Sequence, residues 1–209
     1  MHKKKFYFIV FEGVEGTGKS YQLNKLYINL KKKKFNIVKT REPGGCKTAE
    51  NIRRLIFSKK ANQFDSLTDY YLMCASRNEH IHKLLLRAKK EKKIIICDRF
   101  VDSTYAYQVV GKNINKQFNE INQNYILKGL KADLTIILKS SFTSIIDRIK
   151  KRKKNNKFDK LKIKFYKKAQ NAYIDIAKKN KNYYIFDSSK NTPELEEKIF
   201  NLVSKKIKL

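Results

Sequence analysis

Residues 11–20 read FEGVEGTGKS, a G-x-x-x-x-G-K-S spacing between an apolar run, FYFIV, and a helix-like run, YQLNKLYINL. This spacing lets the backbone of Gly13, Val14, Glu15, Gly16, Thr17 and Gly18 curl so that successive N–H groups converge on phosphate oxygens at a helix N-terminus. Lys19 then reaches the β- and γ-phosphates, and the Ser20 hydroxyl ligates Mg²⁺. A glycine turn that merely caps a helix would need neither the Lys nor the Ser. The chemistry indicated is the handling of a nucleoside triphosphate, ATP or GTP. A second candidate metal ligand, Asp98, ends the apolar run IIICD and is followed by Arg99. A carboxylate at the end of a strand beside the loop's own strand can hold Mg²⁺ directly or through water. A helix N-cap at Asp98 and a surface cation at Arg99 are the plainer alternatives. The loop also carries Glu15, an acid in a structure built to hold anions, and what that acid faces is an open question at this point.

These residues need a scaffold. Short apolar runs at 6–12, 35–40, 94–98, 134–139 and 183–188 are strand-sized and rich in Ile, Val, Phe or Tyr. Four are continuous enough to be buried on both faces of a parallel sheet. Helix-patterned segments lie between them, at 18–33, 47–58, 66–91, 101–110, 116–130, 142–152, 158–179 and 193–207. The alternation predicts an α/β fold: a five-stranded parallel sheet flanked by helices, the three-layer α/β/α arrangement of P-loop NTPases. Ligands in such sheets bind beyond the carboxyl ends of the strands, where both motifs fall. The length of 209 residues suits a single domain over 1–209.

Composition narrows the setting. No run approaches the ~18 apolar residues of a membrane-spanning helix. The N-terminal apolar run leads into the glycine loop instead of a cleavage site for a signal peptide. Cys46, Cys74 and Cys97 are odd in number and show no C-x-x-C spacing. They read as free thiols of a cytoplasmic protein, not as a disulfide framework or a zinc site. The formal net charge of +30 would suit nucleic acid or an anionic membrane. The excess is nearly all Lys, however, and it accompanies Asn, Ile, Tyr and Phe, all residues with A/T-rich codons. Biased codon usage accounts for it without a nucleic-acid or membrane partner.

Three further strings, TREPGG (40–45), SRNEH (76–80) and DRFVDSTYAYQ (98–108), complete a pattern with the loop. Together they resemble thymidylate kinase of the bacterial type, in order and spacing along nearly the whole chain. The resemblance implies transfer of the γ-phosphoryl of ATP to dTMP, giving dTDP for dTTP synthesis, with Mg²⁺, on a P-loop fold that is usually a homodimer. It implies Arg99 and Arg53 at the dTMP phosphate, Arg77 and Gln108 at the thymine edge, and Thr104 near the base. It places Glu15 at the deoxyribose 3′-hydroxyl, Glu42 near the metal and acceptor phosphate, and Pro43 in the acceptor wall. Without the motif, Arg53 and Arg77 would read as solvated or paired helix residues. The role of Arg41 is left open.

One type of the family carries an arginine within the phosphate loop, and this loop has none. In the bacterial type a basic lid between two late helices supplies that charge. The segment at about 148–160 holds that place, with Arg152 as the expected catalytic lid cation beside Lys19, Asp98 and Arg99, and Arg148 as helper. A solvated helix end whose cations face the dipole is the alternative. Met73 stands where an aromatic commonly stacks on thymine, and the lid reads NKFD in place of D-R-x-E. A relaxed dTMP/dUMP kinase, another nucleoside monophosphate kinase and a basic nucleic-acid-binding P-loop protein are therefore the rival readings.

Overall fold

The computed structural model describes residues 6–58, 64–151, 157–190 and 192–208. Five strands, β1 (Tyr7–Glu12), β2 (Ile37–Arg41), β3 (Ile94–Asp98), β4 (Leu134–Lys139) and β5 (Tyr183–Asp187), form one sheet in the order β2-β3-β1-β4-β5. Every pairing is parallel. Helices join the strands: α1 (Lys19–Lys32), α2 (Lys47–Ile56), α3 (Ser66–His80), α4 (Leu86–Lys90), α5 (Val101–Thr104), α6 (Lys116–Leu127), α7 (Phe142–Lys150), α8 (Ile163–Lys178) and α9 (Pro193–Ile207).

Strand alternation divides the core into two layers. Ile9, Phe11, Ile94, Ile96 and Ile136 point to one face, where Leu23, Leu26 and Leu30 of α1 and Leu195, Ile199 and Val203 of α9 cover them. Phe8, Val10, Ile95 and Cys97 point to the other, against Ile81, Leu85 and Ala88. Further along that face, Ile137 meets Ile145 of α7 and Ala169 and Tyr173 of α8. Asp65 caps α3 by accepting from Leu67 N and Thr68 N, and Asn115 caps α6 through Phe118 N.

The sheet differs from expectation at its margins. Three strands, β1, β3 and β4, are buried along nearly their whole length, whereas β2 and β5 are half-exposed. Each of those two has a single neighbour and lies at an edge of the sheet. Helical segments also subdivide. The run at 66–91 passes from α3 through a π-helical turn at Ile81–Leu85 into α4, and α5 continues as a π-helical turn at Tyr105–Val110. The wider turn buries four consecutive side chains, Ala106 to Val109, more than one stripe of an α-helix would. The segment at 158–179 divides into a 3₁₀ turn, Lys157–Lys160, and α8.

Ile96 is fully buried in the central strand β3, whereas Ile185 on the edge strand β5 is 38% exposed. Ile96→Ala is expected to lower the unfolding free energy in urea by about 2–5 kcal/mol. Ile185→Ala should cost under about 1 kcal/mol in the same titration.

Candidate active site

The loop between β1 and α1 is shaped by close packing from below. A Cβ on Gly13 would lie 2.3 Å from Leu138 O, and one on Gly16 would lie 2.8 Å from Ile145 O, both at positive φ. Only glycine lets the backbone pass there. Helix α1 starts from Gly18 with no side-chain cap and no acid in its first turn. Its first N–H groups are therefore left for an external acceptor. Lys19 Nζ donates to Gly13 O (2.8 Å) and Val14 O (2.9 Å), lying across the mouth of the loop. Burial, and then the Arg99 charge, push its pKa down to about 8. Thr17 Oγ1 donates to Val14 O at 2.8 Å and braces the turn.

Asp98 is reached through the sheet. The parallel register pairs Phe11 with Asp98, so the carboxylate stands beside the start of the loop. Its Oδ2 accepts from Ser20 Oγ at 2.8 Å, while its Oδ1 is buried with no hydrogen-bond partner among the described residues. No group of three or more His, Cys, Asp or Glu able to hold a metal occurs among the described residues. A hydroxyl–carboxylate pair with one carboxylate oxygen unspent is nonetheless the donor set that suits Mg²⁺. That ion keeps several waters and shares its remaining positions with phosphates.

On the other side of Lys19 opens a cavity of about 190 Å³. Every substrate-side residue named from the sequence lines it: Glu15, Glu42, Pro43, Arg53, Met73, Arg77, Arg99, Thr104 and Gln108. Arg99 adopts φ +73° and turns its side chain back over the loop. Its Nη2 donates to Glu15 Oε1 at 2.7 Å, and Tyr107 OH donates to Glu15 Oε2. Arg77 is almost fully buried and spends four donors. Nε binds Glu42 Oε2 (2.7 Å), Nη1 binds Thr104 Oγ1 (2.9 Å) and Gln123 Oε1 (2.8 Å), and Nη2 binds Phe100 O (2.9 Å). Arg53 Nη1 donates to Pro43 O at 2.7 Å with its guanidinium 4.5 Å from the Phe57 ring centre. The Gln108 amide has no hydrogen-bond partner among the described residues although the residue is 2% exposed. Its polar atoms are thus available to a ligand edge.

The thymidylate kinase family model matches residues 11–199. The chain belongs to the thymidylate kinase family. It is similar to the thymidylate kinase of Aster yellows witches'-broom phytoplasma, 38% identical over 205 residues and 96% of each chain. It is also similar to that of Mycoplasmoides gallisepticum, 39% identical over 207 residues, 96% of this chain and 95% of that one. The crystal structure of thymidylate kinase from Ehrlichia chaffeensis superposes with a TM-score of 0.78 at 29% identity, covering 96% of this chain and 99% of the other. The reaction is accordingly the phosphorylation of dTMP, and the family uses ATP.

Three positions make contacts that the reading of the sequence did not anticipate. Glu42 is not open toward a metal. Its Oε2 accepts from Arg77, and its Oε1 lies 2.9 Å from His80 Nδ1, whose Nε2 lies 2.7 Å from Thr40 Oγ1. Burial alone would push the Glu42 carboxyl up. The Arg77 charge and the His80 hydrogen bond more than offset this and hold it below the usual carboxylate range. Glu15 does turn away from the loop's N–H groups, yet its oxygens meet a guanidinium and a phenol. Arg148 belongs to α7 and not to a lid. Its Nη1 donates to Gly16 O (3.1 Å) and its Nη2 to Ser188 O (2.8 Å) and Ser189 O (2.9 Å), tying the loop to the end of β5. Arg152 lies outside the described residues. Arg41, whose role was open, pairs with Glu50 at 3.0 Å on the rim.

Sequence reasoning missed the aromatic wall formed by Phe57, Tyr107 and Phe158. The Phe158 ring meets Tyr107 edge-on at 5.5 Å and Phe57 at 5.6 Å. Tyr107 was within reach, since it falls in the STYAYQ string. Phe57 and Phe158 carry no signal that separates them from core aromatics. Also missed was Glu12, fully buried at the end of β1. It accepts from Phe100 N (2.8 Å), Ser103 N (3.2 Å) and Ser103 Oγ (2.6 Å). Burial, then the neighbouring Asp102, push its carboxyl up to about 7. Asp102, which accepts from Tyr183 OH at 3.0 Å, is pushed up to about 6 chiefly by burial.

Both acids hold protons more tightly in the folded chain than in the unfolded one, so their contribution to stability declines as pH rises from about 4 to about 7. Asp102→Asn is expected to raise the unfolding free energy by about 2 kcal/mol at pH 7.5 and by under about 1 kcal/mol at pH 4. Urea titrations at the two pH values measure this, and equal gains at both would show that folding leaves the Asp102 pKa unshifted.

Proposed function

We propose that the chain transfers the γ-phosphoryl of ATP to dTMP in line and with Mg²⁺, within a single kinase domain that works in the cytoplasm. The observation that carries this reading is the Ser20–Asp98 pair. It lies at the strand end between the Lys19 loop and the arginine-lined cavity, and Asp98 Oδ1 is unspent. Ser20 and Asp98 would hold the metal, which when bound neutralises charge on the phosphates. Lys19 leaves its own loop's carbonyls for the β- and γ-phosphate oxygens. Arg99 and Arg53 grip the acceptor phosphate, whose oxygen is already ionised and needs no strong base. Two anions are thus brought together by cations fixed beforehand, the arrangement in which charge stabilisation is most effective. Arg77 and Gln108 read the base edge, with Thr104 and Glu42 setting the orientation of Arg77. Glu15, held by Arg99 and Tyr107, faces the sugar. The chain's free cysteines fit a reducing compartment.

We also infer a homodimer. Leu67 and Tyr71 on α3 and Ile121 and Tyr125 on α6 are exposed, Tyr125 at 83%. The two helices are in contact, with Tyr71 and Phe118 rings 6.1 Å apart. Four large apolar side chains on adjoining helix faces suit a second copy of the same surface.

In an ADP-release assay across dTMP, dUMP, UMP, CMP, AMP and GMP, dTMP should be the fastest acceptor, and EDTA should abolish turnover. A dUMP rate equal to that of dTMP would mean that Met73 leaves the base pocket unselective. Asp98→Asn should lower kcat by about 10²-fold or more. Tyr125→Lys with Ile121→Lys should convert a dimer to a monomer in analytical ultracentrifugation. A wild-type chain that sediments as a monomer at micromolar concentration would refute the dimer.

A further inference from the structure

Three polar groups around Arg99 are not used by the reaction as described: Glu12, Tyr173 and the half-buried Ser103, which lines the cavity. Glu12 and Tyr173 are fully buried, and neither lines the cavity. All three converge on Arg99. Arg99 Nη1 donates to Ser103 Oγ at 3.0 Å and to Tyr173 OH at 3.1 Å. Ser103 Oγ lies 2.8 Å from Tyr173 OH and donates to Glu12 Oε2 at 2.6 Å.

The direction of every hydrogen bond follows from counting protons. Ser103 owns one hydroxyl hydrogen, and with Glu12 ionised that hydrogen goes to the carboxylate, which can only accept. Tyr173 must then donate to Ser103, and its oxygen is left to accept from Arg99. The two hydrogens of Arg99 Nη1 are consumed by Ser103 and Tyr173, and one on Nη2 by Glu15. The Arg99 Nε–H and the second Nη2 hydrogen have no partner among the described residues, and Arg99 lines the cavity. The guanidinium is therefore fixed along one side and open along the other. Its backbone adds a second sign of constraint. A φ of +73° is costly for a non-glycine residue and persists where surrounding contacts over-determine it. Arg99 N donating to Phe11 O at 2.9 Å and the three-residue chain are those contacts.

We propose that Tyr173, Ser103 and Glu12 are positioning residues. They form a one-way hydrogen-bond relay that fixes the Arg99 guanidinium so that its two open donors face the acceptor phosphate. The relay draws on three separate elements: α8 supplies Tyr173, the strand end of β1 supplies Glu12, and α5 supplies Ser103. It rests on the reading of Arg99 as the acceptor-phosphate cation.

A double-mutant cycle tests the relay at pH 8, where Glu12 carries its charge. Tyr173→Phe removes one hydroxyl and should lower kcat/KM for dTMP about tenfold, the loss expected for one hydrogen bond to a charged group. The KM for ATP should stay within about twofold, because Lys19 and the loop are untouched. In an Arg99→Lys background the same change should have an effect below about threefold, since the relay has lost the group it positions. Ser103→Ala should reproduce the pattern, and thermal denaturation reports whether each variant folds. An equal loss from Tyr173→Phe in both backgrounds, or an ATP KM that rises in step with that for dTMP, would reduce the chain to ordinary core support. If Arg99→Lys alone leaves kcat/KM for dTMP unchanged, both the assignment of Arg99 and the relay fall. If Arg99→Lys impairs turnover and Tyr173→Phe does not, the relay alone falls.

Discussion

The parallel register of β1 against β3 is the constraint on which the site depends. Pairing Phe11 with Asp98 puts the two strand ends level. Ser20, one residue into α1, can then reach Asp98 at 2.8 Å, and the residue after Asp98 can reach back across the loop to Glu15. A shift of one residue would exchange the faces of the strand and bury the wrong side chains. The apolar layers of Ile9, Phe11, Ile94 and Ile96 on one side and Phe8, Val10, Ile95 and Cys97 on the other therefore hold the catalytic geometry as well as the fold.

Above that frame the site is an exercise in pairing buried charge. An isolated buried ion is too costly to keep, so each is matched to a partner of opposite charge. Arg77 is matched by Glu42, which His80 also contacts, and Arg99 is matched by Glu15. Asp98 Oδ1 is the exception, and it lies where the proposed metal would complete it. Pairing of this kind gives orientation. Arg77 spends four of its donors on protein and so has one rotamer in which to meet a ligand.

Much of this was legible beforehand. The glycine loop, the five strands and the strand-end acid carry local signals: residue types that only particular backbone shapes accept, and apolar runs that only a buried sheet accommodates. Glu42 was placed near the metal because its string, REPGG, resembles the thymidylate kinase motif. The string does not say which way a carboxylate turns, and Arg77 and His80, far along the chain, decide that. Arg148 was assigned with its basic neighbours, but a guanidinium next to three loop carbonyls is better satisfied than one in solvent. Tyr173, Phe57 and Phe158 look like any core aromatic, because burial and site lining produce the same spacing on a helix.

By itself the sequence determined the class of fold, the phosphate-handling loop and the family, since these rest on short-range patterns and on strings that recur together. Only the tertiary structure decided which acid meets which cation, that Glu15 faces Arg99 and Tyr107, and that Glu12 and Tyr173 stand behind Arg99. Those outcomes are set by side chains 35 to 92 positions apart, whose distances and hydrogen-bond directions exist only once the sheet has brought their elements together.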